Sequence, residues 1–169
     1  NLATNEGRAR IEAFLTGYMA DKTRGNLKVL TAPEGFRFTD SRRGFVSLIN
    51  SASLVALENI TGAPVDARRM RGNILLSGLA PWQEFDWVGG VIAIGDAVTL
   101  KISKRIERCA ATNVDPDTGL RDLTLPRDLM RAENHTDCGV YAEILSGGPI
   151  SVGDHVRILR DGIDKKLPF

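Results

Sequence analysis

A chain of 169 residues suits one domain with a sizeable core, since domains usually run to about 100–200 residues. Its 22 lysines and arginines balance 21 acidic residues for a net charge of +1, which leaves no electrostatic case for nucleic acid or an anionic membrane surface. No apolar run approaches the roughly 20 residues that span a bilayer, no signal peptide is legible, and two cysteines make no disulfide framework, so a reducing, cytoplasmic setting is expected.

Taken in chain order, Thr4 reads as an N-cap with Glu6 in the first turn, where the helix dipole favours a negative charge. Ile11, Phe14, Leu15, Tyr18 and Met19 recur at helical spacing and predict a helix packed into a core through about residue 21, ended by Gly25. Leu27 to Leu30 reads as a short strand before a turn at Ala32-Pro33-Glu34-Gly35. Phe36 to Ser41 leads into a strand over 45–49. Asn50 or Ser51 then caps a helix carrying Leu54, Leu57 and Ile60, stopped by Gly62 and Pro64. Ile74 to Ser77 is a strand, and the aromatic stretch from Ala80 to Trp87 is a loop whose tryptophans pin it to the body of the fold.

Two later segments, Ile92 to Leu100 and Ile150 to Ile158, share one pattern in which Gly-Asp turns between apolar runs. Pro126 opens a helix to about Glu133, and 139–145 and 156–159 are strands. Short strands punctuated by turns, with few helices, predict an α+β chain, mainly β, built as a small closed β-barrel decorated by short helices.

Cys109 carries the most chemistry. It ends the alternating run from Val98 to Ile106, beside the cationic Arg108, and precedes the turn Asp115-Pro116-Asp117-Thr118-Gly119. A thiolate there is a nucleophile and a soft metal ligand; the residues alone equally allow a half-buried structural cysteine. No second cysteine stands at CxxC spacing, and His135 and His155 lack ligand-spaced partners, so zinc is not expected. Asp115 and Asp117 read as turn residues rather than an acid–base pair, and Cys138 as a buried structural thiol.

The segment Cys109-x-x-Thr112-x-Val114-Asp115-Pro116-Asp117-Thr118-Gly119 resembles the signature of MOSC domains, the molybdenum-cofactor sulfurase C-terminal type, in their amidoxime-reducing branch. Arg71-Gly72-Asn73-Ile74-Leu75-Leu76-Ser77-Gly78, Ser51 to Leu57, Gly139-Val140-Tyr141 and Ile150 to Val156 are similar to further family segments in the family's order. The resemblance implies molybdenum cofactor (molybdopterin) chemistry, with Cys109 as the molybdenum ligand and Tyr141 beside the metal. Arg71 and Asn73 match cofactor-contacting positions; a phosphate suits arginine's planar fork and a pterin edge suits an amide. Placed one residue apart at a strand entry, they are expected on one side. Arg42 and Arg43 lie where the family has a cofactor loop, although relatives carry small hydroxylated residues there. Glu107, two residues before Cys109, also replaces a small residue and sets an acid near an anionic centre.

By this resemblance the domain is an oxidoreductase that reduces N-hydroxylated or N-oxide small molecules, with electrons from a partner redox protein. A sulfur-carrier module holding a persulfide on Cys109, and a cofactor-binding module without turnover, stay open. Pyridoxal phosphate is expected only on a separate partner domain. Members of this branch carry a β-rich domain ahead of the corresponding region. Residues 1–35 are therefore expected to be an N-terminal helix and linker closing such a domain, with 36–169 as the MOSC domain, and the chain a piece of a longer protein.

Overall fold

The structure, a computed structural model, describes residues 1–35, 43–160 and 163–166. The chain divides into two compact units, Asn1–Phe38 and Thr39–Phe169.

In the first unit, helix α1 (Asn5–Met19) starts where the Thr4 side chain accepts from the Gly7 amide, and a 3-10 turn continues it over Ala20–Lys22. The apolar stripe does not pack as expected. None of the α1 residues is buried, and Phe14 and Tyr18 are 63% and 80% exposed while stacking on each other at 6.2 Å. Residues 27–30 do not form the expected strand either; the Val29 amide is taken by Glu12 Oε1 at 2.7 Å, a side chain standing where a neighbouring strand would be needed. The expected lead-in at Phe36 to Ser41 lies outside the described residues.

The second unit is one mixed sheet. Its strands are β1 (Val46–Asn50), β2 (Ile74–Leu76), β3 (Val91–Ile94), β4 (Val98–Glu107), β5 (Asp137–Ser146), β6 (Val156–Arg160) and β7 (Ile163–Lys166), in the order β2-β1-β5-β4-β3-β6-β7. Only β1 and β2 run parallel, joined through helix α2 (Ser51–Thr61); every other pair is antiparallel. The sheet is a half-barrel and not the closed barrel expected. Closure requires the outermost strands to pair, and β2 and β7 do not: β2 has three residues, and the β6–β7 hairpin extends the far edge. The echo of the Gly-Asp pattern is also partial. Gly95 turns β3 into β4 as expected, whereas Ile150 to Val152 form no strand and Val152 is fully exposed.

Local signals explain the helices well. The Asn50 side chain accepts from the Ala52 amide to cap α2, and Gly62 ends it in the left-handed region. Helix α3 (Leu125–Glu133) has Pro126 in its first turn, where no amide is missed. Leu54 and Leu57 of α2 meet Leu125 and Leu129 of α3 over Ile49, Met70, Ile106 and Cys138, forming the core on one side of the sheet. A second core holds Leu48, Val140, Ala142, Leu100, Ile102 and Ile92 with Phe85 and Trp87 from a 3-10 turn, Gln83–Trp87, so the aromatic stretch is pinned as expected.

That pin carries a fully buried acid which the sequence did not single out. Glu84 accepts from Asn50 Nδ2 at 2.8 Å and from Ser53 Oγ at 2.9 and 3.0 Å, binding the aromatic turn to the start of α2. Truncation strands those donors in a dry place. Glu84→Ala should therefore cost on the order of 1–3 kcal/mol of stability, read from chemical denaturation; a loss within a few tenths would show that the network is not supporting the turn.

Candidate functional site

Two bulges shape the sheet beside the second core. Along β4 and β5 the register runs Ile102↔Ala142, Lys104↔Tyr141, Arg105↔Val140 and Glu107↔Asp137. Ser103 is the extra residue on β4, and Cys138 with Gly139 supply the extra one on β5. A bulge re-aims side chains, and here the two bracket Tyr141. Gly139 has φ of +81°, and a Cβ there would meet the Leu48 carbonyl at 2.5 Å, so this bulge needs glycine.

Tyr141 is half-buried, stacked on Phe45 at 5.4 Å, with Lys104 Nζ 5.8 Å from its ring centre. Directly opposite it stands Ser47 on β1. Asn73, next along, accepts through Oδ1 from the Ser47 amide and hydroxyl at 2.9 and 2.8 Å, and its own amide donates back to Ser47. Asn73, one residue before β2, thus forms one row with Ser47, Tyr141 and Lys104 of β1, β5 and β4. Arg43 reaches Glu143, two residues along β5 from Tyr141, at 3.3 Å. Arg42 lies outside the described residues.

Arg71 is not placed by strand alternation. It is exposed, left-handed at φ 50°, and ends the 3-10 turn Ala67–Met70. It lines a hollow of about 300 Å³ with Arg68, Gly72, Ile49 and Leu75, which Asn73 does not line. Strand alternation does not fix its side relative to Asn73, because Arg71 stands ahead of the strand in the left-handed region. Gly72 is pressed against Ile49, where a Cβ would sit 2.3 Å from its Cγ1.

Cys109 is exposed and extended, and it opens a 3-10 turn, Ala110–Asn113. The thiol is thus not half-buried, and it belongs to neither core cluster among the described residues. Cys138 is buried, as expected, and burial pushes its thiol up to about 12. Between the two lies Arg108. Its Nη1 donates to the Met70 carbonyl at 2.9 Å, and Nε, at 2.8 Å, and Nη2 share the Cys138 carbonyl. Burial holds this guanidinium below the ordinary arginine range, an effect that the neighbouring Cys138 offsets in part. Glu107 is exposed and faces Asp137 across the ladder, where Arg105 stands 3.9 Å from Asp137.

The turn after Cys109 is held by two arginines, Arg68 and Arg69. Asp115 does act as a turn residue, accepting through Oδ1 from the amides of Asp117 and Thr118 and from the Thr118 hydroxyl. Arg68 grips Asp117 with both terminal nitrogens at 2.8 Å, and Asp66 as well. Arg69, buried, takes Asp122 with two bonds of 2.7 Å and Asp115 at 3.2 Å. The Arg-Arg dipeptide had no pattern marking it as interior; its signal was the set of three aspartates downstream. Among the described residues no group of three or more His, Cys, Asp or Glu could hold a metal ion.

Residues 36–157 match the model of the MOSC domain, and the chain belongs to that family. Mitochondrial amidoxime-reducing component 1 of Mus musculus is 32% identical over 124 residues, 66% of this chain and 36% of that protein, and the Homo sapiens protein gives the same figures. Mitochondrial amidoxime reducing component 2 of Rattus norvegicus is 32% identical over 128 residues, 69% of this chain and 37% of its own length. The chain thus spans a little over a third of these curated relatives. The crystal structure of YiiM from Geobacillus stearothermophilus aligns over 70% of this chain and 55% of that one, with a TM-score of 0.52 at 22% identity, and shares the fold.

The arginine clamp gives a pH dependence of known sign. The Thr118 amide and hydroxyl hold Asp115 below the usual carboxylate range, Arg69 does so for Asp122, and Arg68 for Asp117. Carboxylates depressed on folding contribute fully above their unfolded value of about 3.9 and lose that contribution as pH falls through the depressed values. Thermal melts between pH 6 and pH 2 should show stability falling below about pH 4. In Arg69→Met, which should cost on the order of 1.5–3 kcal/mol at neutral pH, that fall should be shallower; an unchanged acid limb would remove the clamp as its source.

Proposed function

We propose that this chain binds the molybdenum cofactor and forms the cofactor-bearing part of a reductase for N-hydroxylated or N-oxide small molecules, supplied with electrons by a partner redox protein. One observation carries the reading: the Cys109 thiol, in its motif position, is exposed at the end of β4 and tied through Arg108 to the loop that bears Arg71. The residues present fit the group. A soft thiol stands uncovered, Arg71 meets no carboxylate among the described residues, and Gly72 and Gly139 remove side chains where chains approach closely.

In this reading Cys109 would hold molybdenum, Arg71 and Arg43 would meet the phosphate, with Arg42 as a further candidate, and Asn73 and Tyr141 would border the pterin and the reacting group. When bound, the cofactor supplies the two-electron chemistry. The chain's residues orient it: Asn73 is fixed by Ser47, Tyr141 by Phe45, and the turn behind Cys109 by Arg68 and Arg69. The Tyr141 hydroxyl would bond an oxo group or the substrate. Residues 36–169 are taken as the MOSC domain and 1–35 as part of what precedes it. Both cysteines are free thiols, which fits a cytoplasmic setting, and no described helix is long and apolar enough to cross a membrane. The amidoxime-reducing relatives support the substrate class by their names.

Protein produced with molybdenum available should lose the metal in Cys109→Ala and retain it in Cys138→Ala. Full molybdenum content in Cys109→Ala would sink the ligand assignment, and sulfane sulfur on Cys109 without molybdenum would favour the persulfide-carrier reading. Arg71→Ala should weaken cofactor retention roughly 10- to 150-fold, the equivalent of a charge-assisted bond of about 1.5–3 kcal/mol. Exposed Arg127→Ala should not. Equal retention in the two would remove Arg71 from the site.

A further inference from the structure

We infer that Arg108 is the positioning residue of this site: it sets the distance between the Cys109 thiol and the Arg71 guanidinium by bonding the two stretches of chain that carry them. This deepens the reading above and rests on Cys109 and Arg71 serving one ligand. Three observations carry it. Arg108 immediately precedes Cys109, and the carbonyl its Nη1 grips, that of Met70, immediately precedes Arg71. Its Nε and Nη2 share the Cys138 carbonyl, inside the bulge that aims Tyr141. Finally, the guanidinium is half-buried and makes no ion pair among the described residues, so its donors are committed to the two carbonyls.

The geometry requires arginine in particular. A planar fork can reach two carbonyls at once, here one at the end of the 3-10 turn Ala67–Met70 and one on β5. A lysine ammonium keeps the charge and three donors, but they sit on one nitrogen without the fork's fixed spacing, so it does not hold the two carbonyls at a set separation. Space for the fork is provided by Gly139, where a Cβ would lie 3.3 Å from Nη2. The Met70 side is rigid as well, because the Arg71 amide donates to the Arg68 carbonyl at 3.0 Å and Arg68 is itself held by Asp117. Arg108 therefore joins two segments that are each already fixed, and the one free parameter it controls is the gap between them.

The test uses cofactor-free protein, so it is independent of molybdenum occupancy. Nitroxide labels are placed on Cys109 and on Arg71→Cys, the buried Cys138 staying unlabelled, and the dipolar distance distribution between them is measured. Arg108 protein should give one narrow distribution. Arg108→Lys and Arg108→Gln, each checked for folding by circular dichroism, should give a broad or displaced one, with lysine failing to rescue despite its charge. Ile92→Val, a destabilised variant in the other core, should stay narrow. A narrow distribution in either folded Arg108 variant, or equal broadening in Ile92→Val, would overturn the assignment. Loss of the molybdenum prediction for Cys109 with broadening in Arg108→Lys would instead leave the positioning role standing and the cofactor reading wrong.

Discussion

The buried Arg69 guanidinium is met by two carboxylates, and the arrangement of the chain around it follows from that pairing. The side chain lies inside the unit, with Asp122 and Asp115 reaching in from the edge of the turn after Cys109. Leaving such a charge uncompensated is far costlier than leaving a surface pair unmade. The turn therefore cannot move away from the 3-10 segment that carries Arg68, Arg69 and Met70 without exposing an unpaired charge. Because Arg108 bonds the carbonyl at Met70, the same requirement reaches the strand end that presents Cys109. Specificity of the loop's position comes from electrostatics, and the hydrophobic cores on either side of the sheet supply the bulk of the stability.

Much of the second unit was legible because its signals are local. Asn50 as a cap, Gly62 as a stop, Pro126 as a first-turn residue and the alternation from Val98 to Ile106 each act within a few residues, and each is where it was expected. What escaped was set by distance. Arg68 and Arg69 look like a solvated pair until the aspartates more than forty positions later fold against them. Glu84 reads as a surface acid in an aromatic loop until Asn50 and Ser53 enclose it. Barrel closure depends on whether two edge strands meet, which no local pattern encodes, and β2 proves too short and β7 lies at the opposite edge.

The candidate site divides the same way. Cys109, Asn73 and Tyr141 were singled out by motif spacing, whereas the bonds around them run through Ser47 and Arg108, two residues the motif did not single out. The N-terminal helix shows the reverse failure. Its apolar spacing is regular, yet periodicity states only that a face exists and not that anything covers it, and α1 buries none of its residues.

The strand order also has a kinetic side. β1 pairs with β5, so Leu48 must find Val140, a residue 92 positions later, and β5 is also the partner of β4. Contacts between such distant positions make folding slow, since the chain between them must be ordered before they repay it. During synthesis, β1 and β2 can close their parallel pair early, but the carbonyl that Arg108 needs from Cys138 emerges after the helix at Leu125. The thiol at position 109 is thus made well before the framework that orients it, and the central hairpin of β4 and β5 is the step on which its final placement waits.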